Sequence, residues 1–343
     1  MNPSTQSTGA GRLLLKALLI SLPFLILLIS YFVFDPFSVV YHYKQFDNTY
    51  STIPNRDYVS TQMYLNTYRQ HPYKSFILGN SRTIAFTVPD WAPYIGDTLA
   101  FHYDASGESL YGVWQKLEFL ERHGSSLQNV LLIGDKELLQ QANNTEGHLI
   151  RKDPRTINES PFGFQLSFVK AYLSNLFFYR YLRYRATGTY TPEMEGMFES
   201  RRFEYNPVTN DMSLPGINEE IKRDSLGFYA RNTRLRTRPA PGISPAVIGA
   251  AQLRELVAIS NILKRHRTNF RFVISPLFQQ QRLNPADLAI LQRTFGADRI
   301  HDFSGVNEFT ASPGNYYEES HYRPFIGRQI MKRIYPSDTA THQ

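Results

Sequence analysis

Residues 17–34 form one uncharged, predominantly apolar run, from Ala17-Leu18-Leu19-Ile20 to Tyr31-Phe32-Val33-Phe34. A helix of about 18–20 such residues spans the hydrocarbon core of a bilayer. After an irregular aromatic stretch the pattern changes. Asp57–Gln70 has helical spacing of its apolar positions. Short apolar strands then alternate with amphipathic helices. The pattern predicts strands at Ser75–Leu78, Thr98–Tyr103, Val130–Ile133, Phe270–Ser275 and Arg299–His301. Between them it predicts helices at Ser109–Arg122, Ala246–Arg265 and Pro285–Thr294, with Pro324–Ile334 closing the chain. Short strands that are apolar throughout, separated by amphipathic helices, predict an α/β fold: a three-layer sandwich with a central parallel sheet covered on both faces.

Two segments depart from this rhythm. Phe164–Arg185 reads as one helix ending in the aromatic and basic sequence Leu176-Phe177-Phe178-Tyr179-Arg180-Tyr181-Leu182-Arg183-Tyr184-Arg185. Such a mixture suits a membrane surface or a partner; it equally suits a helix with one core face and snorkelling arginines. Residues 186–244 contain many Pro and Gly and little periodicity. They are expected to form an insertion facing a substrate or partner, without a core of its own.

Composition narrows the setting. The chain has 343 residues, 42% of them hydrophobic, and a formal charge of +7. This is enough for an ordinary core, in one large domain or two modest ones. The basic balance is not accompanied by any nucleic-acid-binding motif, so attraction to anionic lipid or polymer is the expected meaning. The absence of cysteine excludes disulfides, thiolate metal sites and a cysteine nucleophile. Arg12 and Lys16 precede the apolar run and Asp35 follows it. The positive-inside rule then places the N-terminus in the cytoplasm and the remainder outside, periplasmic or extracellular. A cleaved signal peptide is the competing reading, but Tyr31-Phe32-Val33-Phe34-Asp35-Pro36 is a poor cleavage site. The expected organisation is therefore a cytoplasmic tail (1–16), a single transmembrane anchor (17–34), a juxtamembrane stalk and helix (35–73), a folded domain (74–335, with the insertion 186–244) and a tail (336–343).

Candidate chemistry gathers at strand ends. Lys74-Ser75-Phe76-Ile77-Leu78 runs into Gly79-Asn80-Ser81-Arg82, placing a serine just past a strand. Near the C-terminus, Tyr316-Tyr317-Glu318-Glu319-Ser320-His321-Tyr322-Arg323-Pro324 puts Glu318 three residues before His321 on what reads as a loop. Serine, histidine and acid are the parts of an acyl-transfer site: imidazole takes the hydroxyl proton and the acid orients the imidazole. Taken singly, Ser81 is ordinary turn chemistry and His321 an ordinary residue before a helix. Their joint position at the two ends of an α/β pattern is what singles them out.

These residues resemble the SGNH, or GDSL-type, superfamily of serine hydrolases and acyltransferases, over residues 74–335. The resemblance implies Ser81 as nucleophile, His321 as base and Glu318 as triad acid. It also implies an oxyanion hole from the backbone of Ser81 and of Gly107, in Asp104-Ala105-Ser106-Gly107-Glu108. The chain departs from the family pattern in three places. Asn80 stands where the family has Asp, and Glu318 where Asp is usual. Gly134-Asp135-Lys136-Glu137 stands where an Asn is expected as third oxyanion donor. Asn143 and Asn144 are candidate replacements for that Asn, Asp302 is a reserve acid, and Arg82 is a candidate anion contact. His102, inside a predicted strand, reads as a core or rim histidine.

No metal-ligand spacing, phosphate loop or dinucleotide fingerprint occurs, so cofactor-free chemistry is expected. The resemblance implies an envelope-anchored esterase or O-acyltransferase acting on acyl groups of a glycan or other envelope polymer, with a membrane-bound O-acyltransferase as a candidate partner. The alternative is a non-catalytic accessory or binding protein on the same fold. A nucleic-acid or general scaffold protein is the weakest reading.

Overall fold

The computed structural model describes residues 6–46, 52–198 and 203–335; the expected tail at 336–343 lies outside them. The longer helices, in chain order, are α1 (Gln6–Phe34), α2 (Arg56–Thr67), α3 (Leu110–Arg122), α4 (Pro161–Leu173), α5 (Phe177–Thr187), α6 (Ala250–Arg265), α7 (Pro285–Phe295) and α8 (Pro324–Ile334). The chain forms two compact units. Among the described residues, one comprises 6–43, 52–54 and 160–198, and the other 44–46, 55–159 and 203–335. This differs from the partition expected at residue 74: α2 belongs to the α/β unit, while 160–198 belong with the N-terminal helix.

The α/β unit is built on five parallel strands, β1 (Ser75–Gly79), β2 (Ala100–Asp104), β3 (Asn129–Gly134), β4 (Asn269–Ile274) and β5 (Ile300–Asp302), in the order β2-β1-β3-β4-β5. β1, β2 and β3 are buried at every position, as a parallel sheet covered on both faces requires. Alternation divides their side chains between two cores. Ile77, Leu131, Ile133 and Val273 pack with Trp91 and with Ile326, Ile330 and Ile334 of α8. On the other face Tyr64 of α2 packs its ring against Phe76, Phe101, Tyr103 and Phe119. Side-chain caps start the covering helices: Asn55 accepts from the Tyr58 amide before α2, and Ser109 from the Gly112 amide before α3.

The register aligns the carboxyl ends of the strands. Gly79 pairs with Asp104 on one side and Ile133 on the other, Gly134 with Ile274, and Ile274 with Asp302. The chain runs from β1 to β2 on one side, and then from β2 back past β1 to β3 on the other. That reversal opens a crevice between the ends of β1 and β3, where ligands of open α/β sheets bind. The edge strand β2 is covered by the segment 203–213, whose Thr209 carbonyl accepts from the His102 amide.

The insertion expected at 186–244 is divided between the two units. Met194 and Phe198 are buried in the N-terminal unit. In the other unit Met212, Leu214 and Ile221 form a buried cluster with Ile84 and Tyr317, both residues of the α/β framework.

In the N-terminal unit, α1 contains an apolar stretch, Gly11–Phe34, long enough to cross a membrane. Pro23 lies inside it. Asp35 ends the helix at positive φ, and its carboxylate accepts from the Val39, Val40 and Tyr41 amides. The single helix expected over Phe164–Arg185 is two, α4 and α5. Asn175 and Leu176, at φ of 48° and 55°, break it; left-handed backbone at two successive residues cannot continue a right-handed helix.

Candidate active site

β1 ends in Gly79, whose φ of 140° and close approach to β3 leave no room for a side chain: a Cβ there would lie 2.0 Å from the Ile133 carbonyl oxygen. The chain then turns at Asn80 into a short 3-10 helix, Ser81–Ala85. Asn80 caps it by accepting from the Arg82 amide at 3.2 Å. Ser81 is therefore the first residue of a helical turn, where backbone N–H groups lack intrahelical acceptors.

His321 arrives from the other end of the sequence. Glu318 and His321 do not lie on an open loop: they pair across a two-stranded antiparallel hairpin, β6 (Tyr316–Glu318) and β7 (His321–Tyr322). A hairpin with two intervening residues brings both side chains to the same place in rigid backbone. The hairpin leads directly into α8, which packs against the 3-10 helix of Ser81. Gly327 makes this packing close, since a Cβ there would meet the Ala85 carbonyl oxygen at 1.9 Å.

The three side chains meet. His321 Nε2 lies 2.7 Å from Ser81 Oγ. His321 Nδ1 is hydrogen-bonded to Glu318 Oε1, and Glu318 Oε2 accepts from the Ser320 amide at 2.8 Å. An ionised carboxylate only accepts, so Nδ1 carries a proton in this arrangement. In the neutral imidazole Nε2 is then the acceptor facing the serine hydroxyl. The side chains of His321 and Glu318 are 25% and 14% exposed, so the imidazole is reachable from solvent while its carboxylate is largely covered.

Asp135, just past β3, is buried and organises the serine turn from below. Its Oδ2 accepts from Asn80 Nδ2 at 2.8 Å and is ion-paired with Arg82. Its Oδ1 accepts from the Glu137 and Leu138 amides, capping the next helix. Arg82 thus braces the serine turn. The Asp135 carboxylate makes these bonds within the protein, and it holds Asn80 and Arg82 in place.

Gly107 sits in the loop after β2 at φ 55°. That loop is tied to the end of β1 by the Ala105 amide, which donates to the Gly79 carbonyl at 3.1 Å. Beneath it lies a buried cluster of charges. Glu108 accepts from Lys116 Nζ at 2.7 Å and Lys152 Nζ at 2.5 Å, and Lys116 lies 3.1 Å from Asp57. Burial would push the Asp57 carboxyl up, but Lys116 and Lys152 hold it below its ordinary range. Nearby, Arg56 donates to both oxygens of Asp104. Burial alone would raise Asp104, yet Arg56 brings it down to about 2. These pairs anchor α2 and α3 to the loop that carries Gly107.

The remaining candidates have other surroundings. Asp302 accepts from the Ser304 amide and hydroxyl in its own turn. Asn144 accepts from the Lys152 amide, and Asn143 is exposed. His102 Nδ1 lies 3.1 Å from Asp211 in the buried contact with the covering segment. Among the described residues no group of three or more His, Asp or Glu side chains forms a metal-ligand cluster.

Sequence reading did not single out Asp135 as a partner of Arg82, nor the Glu108–Lys116–Lys152–Asp57 cluster. Charged residues within amphipathic patterns carry no sign of burial. The lysine at 116, on a helix face otherwise rich in apolar residues, was the available signal. A cavity of about 40 Å³ adjoins Asp135 at the ends of β3 and β4, lined also by Lys136, Ser244, Ser275, Gln281 and Ser304. Ser244 Oγ is buried there without a hydrogen-bond partner. Neither a comparison with protein-family models nor one with curated proteins finds a match to this chain.

Proposed function

We propose that this protein is a membrane-anchored serine esterase or O-acyltransferase of the SGNH type. The observation that carries the reading is the Ser81–His321–Glu318 arrangement, with Ser81 Oγ 2.7 Å from His321 Nε2 at the carboxyl edge of a parallel sheet. His321 takes the hydroxyl proton as Ser81 attacks an ester carbonyl, and Glu318 stabilises the resulting imidazolium. The amides of Ser81 and Gly107 are the proposed donors to the developing oxyanion. Collapse of the tetrahedral intermediate breaks the ester C–O bond, and His321 gives its proton to the departing alkoxide, leaving the acyl-serine and a neutral imidazole. The acyl-serine then passes its acyl group to water or to an acceptor hydroxyl, whose proton His321 takes, and Ser81 leaves reprotonated. The cavity beside Asp135 is the proposed seat for a small group of the acyl donor or acceptor.

In this reading α1 remains as a single anchor with its N-terminus in the cytoplasm, and the α/β unit acts in the periplasm or outside the cell. The basic residues Arg12 and Lys16 before the apolar run support that direction. An acylated glycan or other envelope polymer is the proposed substrate, and a membrane-bound O-acyltransferase the proposed partner; both rest on the SGNH resemblance.

A second reading has its own observation. Gly134-Asp135-Lys136-Glu137 lacks the Asn expected as third oxyanion donor, which favours a binding or accessory protein on the same fold. Hydrolysis of a short-chain chromogenic acyl ester by the full chain in detergent separates the two. The enzyme reading expects turnover that Ser81→Ala abolishes and Glu318→Gln reduces by about 10⁴-fold, as for a triad acid that fixes the histidine tautomer. Turnover retained in a folded Ser81→Ala variant would sink the nucleophile assignment. No turnover by the folded wild-type chain, with these esters and with acylated polysaccharide, would favour the accessory reading.

A further inference from the structure

The N-terminal unit surrounds the outer end of α1 with α4 and α5. Tyr172 of α4 is hydrogen-bonded to Ser30 at 2.8 Å. Tyr31 donates to Gln165 at 2.9 Å, and Gln165 in turn donates to the Val39 carbonyl at 2.7 Å. Phe37, just beyond the helix, lies between Phe168 of α4 and Phe177 of α5, with ring centroids 5.3 and 4.8 Å away. The Phe34 ring lies 6.3 Å from that of Tyr181.

These contacts give a depth scale. At about 1.5 Å per residue, Ser30 lies about 6 Å inside the last residue of α1. The C-terminal end of α4 therefore sits alongside the final turn of the anchor, and α5 passes its exit. At that level a bilayer changes from acyl chain to headgroup.

The outward faces match the location. Leu173, Leu176 and Tyr179 are 44%, 60% and 57% exposed, and Phe162 is 73% exposed. α4 and α5 contain Lys170, Arg180, Arg183 and Arg185 and no acidic residue. Apolar and aromatic side chains beside basic ones are the pattern of a helix lying in the headgroup region. Tyr rings settle there with their hydroxyls toward water.

We infer that the α4–α5 pair is an interfacial collar that inserts into the outer leaflet around the anchor, with its arginines on anionic lipid phosphates. The inference rests on α1 spanning the membrane. The collar holds the exit of α1 by contacts on both helices, and its depth is set by the contacts to Ser30, Tyr31 and Phe37.

The chain contains no cysteine, so single cysteines can be placed and labelled without background. The full chain is reconstituted in vesicles of phosphatidylcholine and phosphatidylglycerol. An environment-sensitive fluorophore is attached at Leu173→Cys, at Tyr179→Cys or, in the anchor, at Leu25→Cys. Lipids carrying a nitroxide near the headgroup or near the chain terminus serve as quenchers. The expected result is blue-shifted emission at positions 173 and 179, with loss of intensity to the shallow nitroxide and little to the deep one. Leu25→Cys should lose intensity chiefly to the deep nitroxide.

Aqueous emission at 173 and 179, insensitive to both quenchers while position 25 is quenched deeply, would overturn the collar and leave the anchor standing. Aqueous emission at position 25 would overturn the anchor itself, and with it the collar. For the anionic-lipid contact, vesicles of phosphatidylcholine alone, which are zwitterionic, should reduce the blue shift at position 179. An unchanged shift would overturn the assignment of the arginines to anionic lipid.

Discussion

Replacing Gly327 by alanine tests whether the packing of α8 on the serine turn sets the site geometry. Two effects oppose each other. Alanine is the better helix former by about 1 kcal/mol, so on propensity alone the substitution stabilises α8. The structure predicts the opposite. The new Cβ would lie 1.9 Å from the Ala85 carbonyl oxygen and 2.7 Å from its carbon, both backbone atoms with no rotamer to yield. To reach ordinary contact at 3.4 Å the two elements must part by about 1.5 Å.

Overpacking of this kind costs about 1–3 kcal/mol, which outweighs the propensity gain. The same displacement separates the hairpin of His321 from the turn of Ser81. A misplacement of about 1 Å costs about 10²-fold in rate. The assays are urea denaturation of the full chain in detergent and the rate of covalent labelling by a fluorophosphonate. Gly216→Ala is the control, since nothing lies within 4 Å of the Cβ it would add at an exposed helical position; it should leave both readings unchanged or raise stability slightly. A Gly327→Ala variant as stable as wild type and labelled at the same rate would refute the reasoning.

Asp135→Asn should destabilise the chain by about 3 kcal/mol, because it leaves Arg82 without its buried partner; denaturation measures this, and a neutral effect would show that the pair does not brace the turn. Asp104 provides a pH signature. Its carboxyl lies at about 2 in the fold against an ordinary 3.8, so its contribution of about 2 kcal/mol is fully present above the unfolded value and fades as pH falls through 2. Asp104→Asn should therefore lose stability at pH 7 and lose correspondingly less between pH 4 and pH 2, as seen in denaturation midpoints across that range; a deficit independent of pH would contradict the assignment.

The architecture was legible because the strands are short and apolar throughout and the helices amphipathic, a pattern that specifies a covered parallel sheet. Ser81 and His321 were legible because each adjoins a recognisable element. What the sequence concealed depends on side chains that meet only in three dimensions. Asn175 and Leu176 break a helix at positive φ, which a leucine does not announce. The hairpin of Glu318 and His321 is two very short strands within a polar stretch, below the length at which alternation registers. Asp135 reads as an ordinary polar residue after a strand; its bonds to Asn80 and Arg82 link residues more than fifty positions apart. The segment 203–235 lacks periodicity because its apolar residues come from several short elements and loops and gather into a cluster on the α/β framework, rather than lining one face of a regular element.

The most direct test of Ser81 as a nucleophile activated by His321 is to locate the adduct of a fluorophosphonate by peptide mass spectrometry on the full chain. The account predicts one phosphonylated serine, Ser81, whose labelling disappears in Ser81→Ala and His321→Ala while both variants remain folded. Modification of another serine, or labelling of Ser81 that persists undiminished in a folded His321→Ala variant, would contradict it.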